Sequence, residues 1–260
     1  MKKTQIKDAL RNIWKKKISF ISICFIVFLG VGCFLWVGFV KAAFDRTATE
    51  YMTAQKYADL ELVSSLGITE SNLEKINADE NVLVAEGVLQ TTGKIGHGGK
   101  ISKIDLLTAT EKVNVARVEG GRMPDGEREC ALDVYFAEAN GINLGDTVTL
   151  FQDNDVLKSS EFEVVGFVTH PAFIRSKKTP FVLLCKDAVD TEATGGLYSK
   201  AVVLLDLADD VGMFSNTYFN DTEKYEKALA ELTNILGKER DAEVYKEGSE
   251  KDRRRKGGAE

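Results

Sequence analysis

Histidine, proline and cysteine are all scarce in this chain of 260 residues, which has two, three and four of them respectively. His97 stands in a glycine-rich stretch and His170 precedes Pro171, so both are expected to be exposed loop residues. Neither has further candidate ligands at the close spacing that a metal site requires. No nucleophile with a neighbouring base is discernible. We therefore predict no enzyme activity, no catalytic, cofactor-binding or metal-binding residues, and no cofactor.

Nucleotide and calcium motifs are also lacking. The glycine-rich stretch 93–102 resembles a phosphate-binding loop only superficially, because the spacing of its glycines is wrong and Gly99-Lys100 is not followed by a hydroxyl residue. We expect a hairpin loop there. Two acidic clusters beside predicted turns lack the glycine and the final glutamate of a calcium loop, so solvated charges are expected. These clusters are Asp125, Glu127 and Glu129, and Asp153 with Asp155.

Only one long apolar run is present, the 23 residues from Ile18 to Val40, and it contains no charge. A helix of this length is about 34 Å long, enough to cross the ~30 Å hydrocarbon core of a membrane. A cleavable secretory signal fits the same basic start and apolar stretch. However, the run is longer than a signal core, and Lys41 interrupts the small residues of a cleavage site. We predict one transmembrane helix over residues 18–40.

The charges on the two sides of this run differ in sign. Residues 1–17 carry seven basic side chains against Asp8 alone, a balance of +6, whereas the whole chain has a formal net charge of −6. By the positive-inside rule, the N-terminus is cytoplasmic and the main domain lies outside the plasma membrane. Residues 18–260 then carry −12, which argues against a nucleic-acid partner.

Residues 1–17 also show a helical period. Apolar residues recur at spacings of three and four, while basic and polar residues fill the opposite face. We predict a cytoplasmic amphipathic helix on the membrane surface; an ordinary basic flank with accidental periodicity fits the same residues. The apolar positions are Ile6, Ala9, Leu10, Ile13 and Trp14.

The four cysteines do not define a disulfide scaffold. Cys24 and Cys33 fall within the predicted span, while Cys130 and Cys185 lie outside it in strand-like contexts. The roughly 220 residues outside the membrane are enough to form hydrophobic cores without disulfides. A Cys130–Cys185 disulfide and two buried free thiols both fit the sequence.

Residues 41–245 are predicted to form an α+β domain, of one or two subdomains, with mostly antiparallel strand pairing. A helix continues from Lys41 to Lys56, and a β-α-β unit follows, with Thr69 as the N-cap of its helix. Residues 246–260 are small or charged and are predicted to be a disordered polar tail. The predicted strands are Ala58–Ser64, Val82–Leu89, Lys100–Thr108, Lys112–Val118, Thr147–Phe151, Glu161–Val168, Thr179–Cys185 and Lys200–Leu207, and the later helices are Thr69–Ile76, Leu132–Asn140, ending at Gly141, and Thr222–Gly237.

One stretch goes beyond generic patterning. It has a Gly-Arg turn, a Glu-x-x-Leu strand start, a helix ending in an asparagine-glycine step, a Gly-Asp-Thr strand and a Val-Val-Gly strand. In this order it resembles the extracytoplasmic core domain of MacB/FtsX-like ABC transporter permeases. The basic start, Tyr57–Thr69 and Met213–Tyr218 resemble the same family, so the resemblance covers roughly residues 1 to 245. The motifs are Glu119-Gly-Gly-Arg-Met-Pro-Asp-Gly-Glu-Arg-Glu129, Ala131-Leu-Asp133, Asn140-Gly-Ile142, Leu144-Gly-Asp-Thr-Val-Thr-Leu150 and Phe162-Glu-Val-Val-Gly-Phe167.

The resemblance implies a permease subunit that pairs with a cytoplasmic ABC ATPase, dimerises with a second permease copy and moves its outer domain for export or for lipoprotein or peptide handling. Family permeases have further transmembrane helices after this domain, and this chain has none. A truncated or split permease is therefore expected, whose partners include the lipid bilayer and the remaining permease helices. The alternative is a single-pass, membrane-anchored extracytoplasmic binding or sensor protein.

Overall fold

The computed structural model describes residues 14, 16–152, 156–173, 179–207 and 215–257. The predicted amphipathic helix lies outside the described residues except for Trp14, Lys16 and Lys17, and the predicted turn at Asp153–Asp155 lies outside them altogether. The chain divides into two compact units, Met1–Glu50 and Tyr51–Glu260, and the second is called the folded domain below.

The described helices and strands have the following bounds. The α-helices are α1 (Lys17–Ala54), α2 (Glu70–Asn77), α3 (Val134–Asn140), α4 (Thr191–Thr194) and α5 (Asn216–Gly257). The strands are β1 (Leu60–Ile68), β2 (Val82–Val88), β3 (Gln90–His97), β4 (Lys100–Thr108), β5 (Arg117–Gly121), β6 (Glu129–Asp133), β7 (Thr147–Phe151), β8 (Glu161–Thr169), β9 (Phe181–Leu184) and β10 (Tyr198–Leu205). Short 3₁₀ turns lie at Pro171–Phe173 and Lys186–Ala188.

Helix α1 contains the predicted span and continues past Lys41 to Ala54, as predicted. Its 38 residues make a helix of about 57 Å. Apolar side chains along it are exposed, including Phe34 at 81% and Trp36 at 68%. Within the described residues, α1 is the helix long and apolar enough to cross a membrane. In a bilayer, lipid surrounds the apolar side chains that no protein covers.

The folded domain contains a three-stranded sheet in the order β1-β10-β2. The predicted β-α-β unit is confirmed, because β1, α2 and β2 follow one another along the chain. Both outer strands are antiparallel to β10 and therefore parallel to each other. Thr69 caps α2 as predicted: its side chain accepts the Asn72 N–H at 3.1 Å, and the Asn72 side chain accepts the Thr69 N–H at 3.1 Å. This reciprocal pair fixes where α2 begins.

Each face of the three-stranded sheet is covered. Leu73 of α2 and Leu229 and Leu236 of α5 pack with Val203 of β10 on one face. Leu229 and Leu236 thus attach the last helix to the sheet. On the other face, the connection between β4 and β5 contributes Val113, which is fully buried. The sheet is therefore the middle layer of three.

The other strands form a seven-stranded sheet in the order β5-β8-β6-β9-β4-β3-β7. Strand β7 also pairs with β8, so six of these strands close into a ring and β5 remains at the edge. The pairs β4–β9 and β6–β8 are parallel, and the remaining pairs of this sheet are antiparallel. Side chains such as Ile104, Phe162 and Val164 fill the ring and are fully buried. The predicted α+β class with mostly antiparallel pairing is confirmed.

The glycine-rich stretch 93–102 forms a hairpin, but the loop is much shorter than predicted. Strands β3 and β4 pair continuously from Gln90 opposite Leu107 to His97 opposite Lys100. The turn is left to Gly98 and Gly99, whose φ angles are 56° and 78°. Positive φ at both central residues is the geometry of a two-residue hairpin turn that matches strand twist. Strand β3 was missed because its glycines mimic loop composition.

Two predicted boundaries are wrong. The predicted strand Lys112–Val118 is irregular up to Arg117, where β5 begins. Asn114 interrupts it with a φ of 51°, a left-handed conformation outside the extended region that regular strands require. The predicted helix Leu132–Asn140 starts two residues later, because Leu132 belongs to β6 and Asp133 caps α3 by accepting the Tyr135 N–H. Its predicted end is confirmed, since Gly141 is left-handed with φ 66°.

The last helix is also longer than predicted. Helix α5 begins at Asn216, before the predicted start, and continues through Gly237 to Gly257. Most of the segment 246–260, predicted to be a disordered tail, is therefore helical. The segment is rich in glutamate, lysine and arginine, which have good helix propensity, and an interior glycine costs only about 1 kcal/mol relative to alanine. Disorder was predicted from the low hydrophobicity of this segment, although its residues favour a helix.

Close backbone approach explains two glycines of the sequence motifs. Gly121 has a φ of 73°, and a Cβ there would overlap the carbonyl oxygen of Val165. A Cβ on Gly166 would in turn overlap the carbonyl oxygen of Arg122. The Gly-Arg turn and the Val-Val-Gly strand are thus complementary halves of one backbone contact between β5 and β8.

Replacing Gly166 by alanine should therefore lower the free energy of unfolding by about 1–3 kcal/mol, because β8 must move away from Arg122. The matched change is Gly237→Ala in α5, where a Cβ meets nothing within 4 Å. It should be neutral or stabilise by up to about 1 kcal/mol. Pulse proteolysis in increasing urea, with the chain in detergent micelles, measures both. Equal stability of the two variants would contradict the close approach.

Candidate functional site

The two histidines have different surroundings. His170 is 7% exposed and makes edge contacts with the rings of Phe173 and Phe181, at centroid distances of 5.6 and 5.7 Å. Burial, with a smaller effect of Lys200, lowers the pKa of His170 to about 4. The prediction of an exposed loop residue is therefore wrong for His170, which is an uncharged packing residue at neutral pH. His97 ends β3, with its Nε2 3.8 Å from Oδ2 of Asp146.

The cysteines of the folded domain are free thiols. Cys130 is fully buried among the side chains of the ring, and burial raises its pKa to about 12. Cys130 lies opposite Leu184, whose side chain fills the same interior. Cys185 follows β9 and is half-buried, and its sulfur accepts the Asp187 N–H at 3.2 Å. Free thiols are thus the observed alternative, although only Cys130 is buried.

The Gly-Arg turn is held by an ion pair between Arg122 and Glu129. The guanidinium donates from Nη1 and Nη2 to the two carboxylate oxygens at 2.7 and 2.5 Å. The backbone N–H groups of Asp125 and Gly126 donate to the same carboxylate at 3.0 and 3.1 Å. The Arg122 bond first, and these N–H groups next, lower the pKa of Glu129 to about 2. The prediction of solvated turn charges is wrong for Glu129, which organises the turn.

A second hydrogen-bonded cluster lies where the chain leaves α1. The Asn114 N–H donates to the Lys56 carbonyl at 2.8 Å, and the Val115 N–H donates to the Gln55 carbonyl at 2.9 Å. The side-chain oxygen of Asn114 accepts the Ala58 N–H at 2.8 Å. Lys56 and Asn114 both have positive φ, 48° and 51°. Asparagine tolerates positive φ better than most residues. Asn114 therefore turns the connection between β4 and β5, and its side chain also binds the segment that follows α1.

Asp59 then connects this segment to the start of α5. Its Oδ1 accepts the hydroxyl of Tyr218 at 2.6 Å, and its Oδ2 accepts the Leu205 N–H at 2.8 Å. Tyr218 lies in the first turn of α5, where its N–H donates to the side chain of Ser215 at 3.1 Å. Burial raises the pKa of Asp59, and the two donated hydrogen bonds oppose the shift. Burial and the bond to Asp59 raise the pKa of Tyr218 as well.

These contacts define the candidate functional site, called the joint: Lys56, Ala58, Asp59, Asn114 and Tyr218. It brings together residues 159 positions apart in the chain. Asp59 and Tyr218 both belong to stretches that resemble the permease family, Tyr57–Thr69 and Met213–Tyr218. No sequence signal singled out Asn114, because one asparagine in an irregular loop carries no pattern. What the joint offers is a fixed connection between chain segments.

Solved structures that are similar to this chain include the following two. The extracellular domain of the noncanonic ABC-type transporter YknZ from Gram-positive bacteria is 16% identical, with a TM-score of 0.41, over 56% of this chain and 77% of its own. The periplasmic region of MacB from Actinobacillus actinomycetemcomitans is 18% identical, with a TM-score of 0.46, over 68% of this chain and 82% of its own.

Both are regions outside the cytoplasm, and the first belongs to an ABC-type transporter. At such identities and TM-scores, the likeness assigns no activity to the chain. No family model and no curated protein matches it.

The Asp59–Tyr218 hydrogen bond should be measurable by a double-mutant cycle. Tyr218→Phe leaves one oxygen of Asp59 without its donor and should cost about 1–3 kcal/mol of unfolding free energy. Asp59→Asn should cost less, because its amide oxygen can accept from Leu205 while its NH₂ donates to the Tyr218 oxygen. The double variant should lose less than the sum, and strict additivity would contradict the bond.

The same variants predict a pH effect. The raised pKa of Asp59 means that the folded chain binds a proton more readily than the unfolded chain, whose value lies near 3.8. Its contribution to stability is therefore fully present below pH 3.8 and is lost as pH rises through the folded value. Asp59→Asn should flatten this part of the stability profile.

Proposed function

We propose that this chain is a permease subunit, or the N-terminal part of one, in an ABC transporter of the MacB/FtsX type. Helix α1 crosses the plasma membrane with the N-terminus in the cytoplasm, and the folded domain lies outside. A separate cytoplasmic ABC ATPase supplies the energy. A second permease copy and further permease helices complete the transport unit. The outer domain moves as the ATPase closes, in export or in the handling of lipoproteins or peptides.

The observation that carries this proposal is the joint. A subunit that transmits movement requires fixed connections, because a flexible linker absorbs displacement instead of passing it on. The chain after Ala54 is hydrogen-bonded into the folded domain from Gln55 onward. Through Asp59 and Tyr218, the same segment is bonded to the first turn of α5. Force applied to this segment therefore reaches both the sheet and the long helix directly.

The motif region supports a mechanical role in a second way. The Arg122–Glu129 pair and the Gly121 and Gly166 contacts stiffen the turn and its strands, and they contribute no reactive group. In this proposal the residues shared with the permease family maintain a rigid body. Chemistry is left to the partner ATPase.

Co-purification tests the proposed partnership. The tagged chain, produced in membranes together with an ABC ATPase of the MacB/FtsX type, should retain the ATPase in mild detergent. Replacing Ile6, Leu10 and Ile13 together by alanine should release it, because the apolar face predicted to relay ATPase movement is lost. The matched control replaces three exposed apolar residues of the folded domain by alanine and should retain the ATPase: Val63, Leu83 and Ile101.

Retention of the ATPase by the first variant would reject the coupling role of residues 1–17. Failure of the unaltered chain to bind the ATPase would favour the single-pass binding or sensor protein, which needs no energy source.

Thiol labelling tests the orientation. In a background with Cys185→Ser, Lys100→Cys at the exposed β3–β4 hairpin should react with a membrane-impermeant maleimide on intact cells. Cys130 is fully buried and should stay silent. The control Thr4→Cys should react only after lysis, because the basic start is proposed to be cytoplasmic. The opposite pattern would reverse the topology.

A further inference from the structure

A groove runs along the free edge of β2. In the three-stranded sheet, β2 pairs with β10 on one side and ends the strand order on the other. A cavity of about 510 Å³ opens along this edge, within the size range of ligand pockets. Its walls come from α2, from β2, from the connection between β4 and β5 and from the 3₁₀ turn after β9. Prominent lining residues are Glu70, Glu74, Asn77, Gly87, Lys112 and Lys186.

The side chain of Asn77 occupies part of the edge. Its Oδ1 accepts the Ala85 N–H at 2.8 Å, and its Nδ2 donates to the Ala85 carbonyl at 3.0 Å. These are the two main-chain bonds that a neighbouring strand makes with an edge residue. The Nδ2 group also donates to the Leu73 carbonyl at 2.9 Å, which ties the side chain to α2. The Asn77 side chain thus makes the hydrogen bonds that one residue of a neighbouring strand would make.

The positions on either side of Ala85 extend the same edge. Backbone groups face outward at every second residue, so Ala85, Gly87 and Leu89 point the same way. Leu89 is bonded to Thr108 through its N–H at 3.0 Å and its carbonyl at 3.1 Å. Gly87 lies between them, and its outward groups meet no partner within the described residues. Gly87 is buried beneath the ring of Tyr198, which leaves no room for a side chain there. The edge therefore has one position bonded to a side chain and one whose main-chain groups are unpaired.

The two faces of this edge carry opposite charge. Helix α2 packs on the face that bears Ala85 and presents to the cavity Glu74 and Glu70, the latter also accepting the Tyr198 hydroxyl at 3.0 Å. The other face is covered by the β4–β5 connection, whose Lys112 lines the cavity with Lys186. Side chains of an added strand alternate between two such faces. The groove therefore matches a strand with basic side chains on one face and acidic side chains on the other.

Glu86 lies on the same face as the lysines, but it does not remove the difference in charge between the two faces. Its carboxylate accepts the backbone N–H groups of Lys112 and Val113 at 2.8 and 2.9 Å, and those of the preceding residue at longer distance. Three main-chain donors already compensate its charge.

We propose that the β2 edge binds an extended segment of another polypeptide as an added strand. Asn77 leaves Ala85, and the segment pairs with Ala85 and Gly87 through main-chain hydrogen bonds. Basic side chains face Glu70 and Glu74, and acidic side chains face the lysines. A polypeptide is the occupant because the edge presents donors and acceptors at strand spacing and already holds a carboxamide in place of a peptide group.

Peptide binding to the 260-residue chain in lipid nanodiscs tests this inference. The probe is acetyl-Lys-Asp-Lys-Asp-Lys-amide, whose alternation separates the charges by face. Methylation of the backbone nitrogens on one edge removes its hydrogen bonds but keeps the charged groups, and should weaken binding by roughly tenfold or more. The reordered peptide acetyl-Lys-Lys-Asp-Asp-Lys-amide has the same composition and should also bind more weakly.

Variants locate the site. Asn77→Ala exposes both main-chain groups of Ala85 and should tighten binding of the alternating peptide by roughly fivefold. Glu74→Gln should weaken it, whereas Glu80→Gln, the same change outside the groove, should not. If Asn77→Ala lowers stability too far, the Glu74 and Glu80 variants still decide. Equal affinity for the methylated and unmethylated peptides, or no binding by either the unaltered chain or Asn77→Ala, would overturn the proposal.

Discussion

The position of β10 between β1 and β2 is the constraint on which the folded domain depends. Neither outer strand contacts the other, so the sheet exists only when β10 has been placed between them. All seven strands of the other sheet lie between β2 and β10 in the sequence. Closing so long a loop is entropically unfavourable, but the ring is itself compact and brings its ends together. Ser199 marks the meeting point, because its hydroxyl accepts the Gln90 N–H and donates to the Val88 carbonyl.

The hydrogen bonds of the joint also depend on the position of β10. Two groups that hold Asp59 belong to the same strand: the Val203 carbonyl accepts its N–H at 2.9 Å, and the Leu205 N–H donates to its carboxylate. Asn114, which receives the chain from α1, lies in the connection that covers the opposite face of the sheet. Loss of β10 would therefore release the end of α1 and the start of α5 together. The three-stranded sheet and the hydrogen bonds of the joint are consequences of one arrangement in this domain.

The sequence predicted what local periodicity controls. The β-α-β unit, its Thr69 cap, the Gly141 end of α3 and the strands β4, β7, β8 and β9 follow from patterns within about ten residues. Strand β3 was missed because its glycines indicate a loop. Its pairing with β4 and β7 stabilises it as a strand, and this pairing is not visible in its own sequence. The closure of the ring and the insertion of β10 are long-range pairings, and no single-sequence period encodes them.

The candidate site was predictable only in its parts. Asp59 and Tyr218 lie in stretches that resemble one family, yet nothing in either stretch indicates that the two side chains meet. Asn114 and Asn77 act through backbone contacts with distant residues. Their roles depend on three-dimensional position, and asparagine at a loop or a helix end is too common to stand out in one sequence.

The length of α5 gives the Tyr218 contact a further consequence. Among the described side chains, Leu236 is the last residue of this helix in the core, and the helix continues to Gly257, about 30 Å further on. A small rotation of such a helix about its contact with the sheet gives a larger displacement at its far end. A tilt of about 5° about Leu236 displaces the far end, about 30 Å away, by about 3 Å. An angular change small enough to preserve the hydrogen bond to Asp59 therefore moves the far end by about half the pitch of one helical turn.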